Sequence, residues 1–92
     1  MAKPYRSKSR LVLDILRAVR DEGQAQVTRL LLLANMTHPR LQEHLEDLVR
    51  KGWLAPSEAD GRRAWSLTDA GRTALAELDR IDDAMQDFGL AL

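Results

Sequence analysis

The sequence contains no cysteine. That excludes disulfides, thiol nucleophiles and cysteine–zinc sites, and it fits a reducing compartment. Net charge is missing too: fourteen lysines and arginines balance fourteen acids, for a formal total of +0. No general attraction to a polyanion follows from that sum. No apolar run approaches a membrane span, and the first residues lack the apolar segment of a signal peptide. A cytoplasmic protein without a membrane partner is expected. Internal repeats, low-complexity tracts, a glycine-rich phosphate loop and a nucleophile turn are all absent. Ninety-two residues make one small domain with a modest core.

Although the charges cancel, they are unevenly placed. Residues 1–20 carry six cations against Asp14, or +5, whereas residues 69–92 carry Arg72 and Arg80 against six acids, or −4. A basic start and an acidic end suit a protein that holds one end toward phosphate. The same pattern suits head-to-tail self-association.

The most ordered signal lies between Thr37 and Leu54. Thr37 is an N-cap candidate, and Pro39 sits in the first turn, where its missing amide would have no partner. Leu41, Leu45, Leu48 and Val49 recur as one apolar stripe, which predicts a helix over 37–51. Arg50 and Lys51 suit the negative end of its dipole, and Gly52 offers a stop. Trp53 and Leu54 then lead into an extended segment.

Before this helix, Lys3, Arg6, Lys8 and Arg10 form a basic N-terminal arm over residues 1–7 and just beyond, either frayed or touching phosphates. Leu11, Val12, Ile15, Leu16 and Val19 predict a core helix from Lys8 to Glu22, stopped by Gly23. Gln24–Val27 can extend as a short third strand. Thr28 is expected to cap a second helix over Arg29–Ala34, where Leu30, Leu31, Leu32 and Leu33 point all round. A packed core there leaves one of Leu31 or Leu32 for another surface.

After the central helix, Trp53–Ser57 and Arg63–Leu67 flank the turn signal Ala59-Asp60-Gly61, which predicts a hairpin with Arg62 and Arg63 at its tip. Pro56 restricts the first strand to a sheet edge. Thr68 then caps a last helix, with Asp69 favoured by the dipole. Along it Ala74, Leu78, Ile81, Met85, Phe88 and Leu92 are spaced 4, 3, 4, 3 and 4 apart, a short heptad seam. Such a stripe calls for a second copy of the same helix, or for folding back onto the first two helices.

Taken together, Thr28-Arg29-Leu30, Ala34-Asn35-Met36-Thr37, Leu45, Leu48, Gly52-Trp53-Leu54 and Leu67-Thr68-Asp69-Ala70-Gly71 resemble the small archaeal winged-helix DNA-binding family with a C-terminal coiled-coil helix. The Leu-Thr-Asp-Ala-Gly segment is also similar to the MarR and PadR repressors. The resemblance spans roughly residues 8–92. It implies a mainly α fold with a small antiparallel hairpin, in which residues 8–67 form a winged helix-turn-helix and residues 68–92 a dimerisation helix. It also implies double-stranded DNA as ligand, a homodimer, a nucleoid-associated location and no cofactor. Leu32 and Leu33 depart from the smaller or more polar residues expected there, and Glu43, Glu46 and Asp47 are unusual for a strong DNA binder.

Base-reading side chains in such a helix belong to its first turns, which selects Thr37, His38, Arg40, Gln42 and Glu43, with Arg50 further along. Arg40 can pair with a guanine edge and Glu43 can accept from a cytosine amino group. Glu46 and Asp47 repel phosphate, so modest, salt-sensitive affinity is expected. The wing arginines Arg62 and Arg63 suit a phosphate or the minor groove. The alternative is a winged-helix protein–protein module that uses the acidic helix and the exposed leucines. An enzyme is disfavoured: His38 and His44 lie on different faces of one helix and cannot jointly hold a metal.

Overall fold

A computed structural model describes residues 6–92. Lys3, one of the four cations assigned to the arm, lies outside the described residues. Seven elements follow in order: α1 (Lys8–Glu22), β1 (Ala25–Gln26), α2 (Val27–Ala34), α3 (His38–Arg50), β2 (Leu54–Ala59), β3 (Arg62–Leu67) and α4 (Asp69–Asp87). The three strands form one antiparallel sheet in the order β1-β3-β2.

The first helix has the limits its periodicity predicts. Ser7 caps it, its Oγ accepting from the Arg10 amide at 3.1 Å. Leu13, Ile15, Leu16 and Val19 are fully buried and make α1 the spine of the core. Leu30, Ala34, Leu41, Leu45, Leu48, Leu54, Trp65 and Leu75 close around it.

In α2 the predicted cap is replaced. The helix starts at Val27 rather than Arg29, and the cap position is Gln26, with no side-chain cap bond. The cause is β1: Gln26 pairs with Ala64 in the sheet, and its side-chain Nε2 donates to the Ala59 carbonyl at 2.9 Å. The chain is held extended up to Gln26 and turns helical at once, so Thr28 falls inside the first turn. Only Leu30 and Ala34 of this helix are buried; Leu31 packs partly on the core, while Leu32 and Leu33 are 73% and 46% exposed.

Thr37 occupies the cap position of α3, but its hydroxyl makes no cap bond. The helix is held instead by the buried stripe Leu41, Leu45 and Leu48. At its far end the Trp53 amide reaches back to the Leu48 carbonyl at 3.0 Å, which turns the chain into β2. Asp60 and Gly61 both take positive φ, 54° and 73°, as a two-residue hairpin turn requires. Pro56 lies on β2, an edge strand, where its missing amide leaves no ladder bond unmade.

The junction from wing to α4 explains the Leu67–Gly71 segment physically. The Thr68 amide donates to the Trp53 carbonyl at 3.1 Å, and its hydroxyl donates to the Gly52 carbonyl at 2.5 Å. The same hydroxyl oxygen accepts from the Gly71 amide at 2.9 Å, capping α4. Gly71 is required by close approach: a Cβ there would stand 2.9 Å from the Trp53 carbonyl carbon and overlap its oxygen. The end of α3 and the start of α4 are thus riveted together.

From that rivet α4 runs back along α1. Leu75 is buried and Leu78 packs on the core. Asp82 is fully buried against two arginines: Arg10 Nη2 donates to Oδ1 at 2.6 Å and Arg17 Nη2 to Oδ2 at 3.1 Å. Asp79 joins from the adjacent turn, 2.7 Å from Arg17 and 3.3 Å from Arg20. Burial alone would raise the Asp82 carboxyl, but hydrogen bonds from Arg17 and Gln86 and the charge of Arg10 outweigh it and hold the group below the usual carboxylate range. The basic start and acidic end of the sequence therefore neutralise each other inside one chain.

Candidate nucleic-acid interface

The stripe that buries Leu41, Leu45 and Leu48 turns the opposite side of α3 outward. Thr37, His38, Pro39, Arg40, Glu43, Glu46 and Arg50 are all exposed, and Gln42 and Asp47 are half-buried beside them. No part of α4 covers this side. Its electrostatics are mixed. Asp47 accepts from Lys51 at 2.9 Å and lies 3.5 Å from Arg50; the Lys51 hydrogen bond leads in holding its carboxyl below the ordinary range. Gln42 leans on Glu46 at 3.4 Å. Arg40 makes no ion pair among the described residues.

Lys8, from the start of α1, comes close enough to α3 to act on it. Burial first, then the charges of Arg40 and Lys8, push His44 below its ordinary pKa against weaker pulls from Asp47 and Glu43. Lys8 and Arg40 are thus two solvent-facing cations close to His44. In the wing Arg62 and Arg63 are exposed, Arg63 stacking with its guanidinium 5.0 Å over the Trp65 ring. Lys51 lies 5.7 Å over Trp53 at the wing's base.

Two cations expected in the arm belong elsewhere. Arg6 donates to Asp14 at 3.0 Å and to the Ala34 and Asn35 carbonyls at 2.6 Å each, tying the chain start to the end of α2. Arg10 is committed to Asp82, with Asp14 at 3.8 Å. Their carboxylate partners stand within the same fold, so neither guanidinium is presented outward with Lys8. The structure thus gathers Lys8, Arg40 and the α3 face, carries Arg62 and Arg63 on the wing, and sets Arg6 and Arg10 apart.

The heptad seam also divides. Leu78 and Leu92 pack on this chain's own core, and Ala74 and Met85 are half-buried. Ile81 and Phe88 remain outward, 42% and 81% exposed, with Leu90 beside them in sequence. The inward edge of α4 is Leu75, Leu78 and Asp82. Sequence periodicity missed it because an acid cannot be counted as core until its arginines are known. Among the described residues no group of histidines and carboxylates is arranged to hold a metal, and no helix is long and apolar enough to cross a membrane.

The sequence matches the winged helix-turn-helix family over residues 5–86, most of the chain. The chain belongs to that family. Among solved structures, this winged helix-turn-helix protein is similar to Sso10a-2, a DNA-binding protein from Sulfolobus solfataricus, with a TM-score of 0.80 at 22% identity; the match covers 90% of this chain and 85% of that one. SSV1 F-93 matches with a TM-score of 0.69 at 16% identity, covering 96% and 99% of the two chains. A MarR family transcriptional regulator from Silicibacter pomeroyi matches with a TM-score of 0.74 at 26% identity. That match covers 84% of this chain but 52% of the regulator, so the winged-helix protein spans about half its length. No curated protein sequence matches significantly. The winged helix-turn-helix expected from the sequence, mainly helical with a small antiparallel sheet, is the fold observed.

Proposed function

We propose that this winged-helix protein binds double-stranded DNA as a homodimer and serves as a transcriptional regulator or chromatin-associated protein. The observation that carries the reading is the outer side of α3, exposed among the described residues, where Arg40 has no ion-pair partner among those residues and Lys8 lies beside it. The α3 helix enters the major groove, where Thr37, His38, Arg40, Gln42 and Glu43 meet base edges and Arg50 meets the backbone. Arg62 and Arg63 reach the backbone or minor groove from the wing. That Sso10a-2 is a DNA-binding protein and the Silicibacter protein a transcriptional regulator supports the same ligand.

Dimerisation uses the exposed Ile81 of α4 and Phe88 just past its end, with the half-buried Ala74 in the same line, each seven residues from the next. Ile81→Asp or Phe88→Asp should halve the apparent mass on a sizing column without unfolding the chain. A wild-type mass equal to one chain rejects the dimer.

DNA affinity measured by fluorescence anisotropy across a salt series tests the main reading. The expected result is modest affinity that falls steeply with salt, because each phosphate contact releases counterions. No binding at ~50 µM in low salt, within the range of ordinary non-specific affinity, overturns it. Such a result would favour a second reading, a protein-binding winged helix, which rests on the exposed Glu43 and Glu46 of α3.

A further inference from the structure

On β3 the Trp65 side chain belongs to the core, so its neighbour Ala64 turns to the other side of the sheet. Ala64 stands outside the core cluster and is nevertheless 0% exposed. It pairs with Gln26 on one side and with Ser57 on the other, which puts three side chains in a row on that outer face. The Ser57 Oγ in this row is cut off from solvent as well. From the row the Gln26 side chain extends toward the turn, where its Nε2 meets the Ala59 carbonyl at 2.9 Å. We propose that Gln26 is a positioning residue for the wing: carried on β1, it braces the Asp60-Gly61 turn and so fixes the direction in which Arg62 is presented.

The sheet shows why a brace matters at this place. β1 pairs only with Trp65 and Ala64, so beyond them the wing is a two-stranded ribbon, Glu58 and Ala59 against Arg63 and Arg62. A ribbon of two strands has little stability of its own. Ala59 pairs with Arg62 across the turn, and Arg62 shares its face of β3 with Ala64. A bond to the Ala59 carbonyl therefore ties down the pair that carries Arg62. Only the nitrogen of a glutamine amide can meet a carbonyl, and the carbonyl's two lone pairs let this bond add to the hairpin ladder. Among the described residues, no other side chain hydrogen-bonds to the hairpin between residues 54 and 66.

The consequence for DNA rests on the proposed function. The brace itself does not, and it is read first, by NMR of the free protein. In the wild type the Gln26 side-chain amide protons should exchange with solvent at least about tenfold more slowly than those of the exposed Gln24. Heteronuclear ¹H–¹⁵N NOEs at Asp60, Gly61 and Arg62 should match that of Trp65. Gln26→Met, of similar length but without a donor, should lower the NOEs at the turn and leave those of α3 unchanged. Exchange as fast as at Gln24, or a turn as rigid in Gln26→Met as in the wild type, overturns the brace.

DNA affinity then tests the positioning. Gln26→Met and Arg62→Ala should each weaken binding about threefold, and the double variant no more than either alone. The losses from Gln26→Met and Arg40→Ala should multiply, because α3 does not depend on the turn. A merely structural Gln26 would multiply with both. Losses that multiply with Arg62→Ala, or a Gln26→Met affinity equal to that of the wild type, overturn the positioning role. If the wild type itself binds no DNA, the proposed function fails, while exchange and NOEs still decide the brace.

Discussion

Two sets of basic side chains in this protein look alike in sequence and have opposite uses. Arg10, Arg17 and Arg20 on α1 meet Asp79 and Asp82 across some sixty to seventy residues of chain. Lys8, Arg40, Arg62 and Arg63 meet no carboxylate within the fold among the described residues. The first set attaches a helix; the second is available to something outside. The difference lies in what each helix packs against, not in charge density along the chain. Lys8 and Arg10 are two residues apart and fall on opposite sides of that division.

Breaking the attachment should produce the largest effects. Gly71→Ala forces a methyl group into the Trp53 carbonyl at the α3–α4 junction. It should cost about 3 kcal/mol in urea unfolding, at the upper end of overpacking substitutions. Asp82→Asn should come next, lowering stability because Arg10 and Arg17 lose their shared anion in a buried place.

The same group sets a pH dependence. The folded-state pKa of Asp82 lies below its unfolded value of about 3.9. Its contribution is therefore complete above about pH 4 and is lost as pH falls through the folded value. Urea midpoints between about pH 6 and pH 3 should decline less steeply in Asp82→Asn than in the wild type.

On the outer set, Arg40→Ala should leave the unfolding midpoint nearly unchanged and weaken DNA binding by ~1–2 kcal/mol, as loss of one base or phosphate contact does. Arg62→Ala should have the smallest effect, a uniform loss of under ~1 kcal/mol across sequences.

Much of the fold was legible in the residues themselves. The limits of α1 follow from its apolar periodicity and Gly23, the hairpin turn from Asp60-Gly61, and the edge position of β2 from Pro56. These features are local, and local pattern carries them. The start of α2 was misplaced because sheet pairing of Gln26 with Ala64, a contact distant in sequence, decides where helix begins. The division of the α4 stripe between core and outside has a related cause. A 4-3 spacing of apolar residues says that a stripe exists, but not which neighbour it meets, and the true inner edge includes an aspartate. The outward side of α3 was legible because its buried stripe is unambiguous. The fates of Arg6 and Arg10 were not, since their partners lie on other elements.

The most direct test of the division between the two arginine sets is the salt dependence of DNA affinity in Arg40→Ala, Arg62→Ala and Arg17→Gln beside the wild type. The slope of log K against log salt should become shallower by about one for each outer variant that loses a phosphate contact, and should stay at the wild-type value for Arg17→Gln. A slope that moves with Arg17 but not with Arg40 or Arg62, or affinity indifferent to salt throughout, contradicts the account.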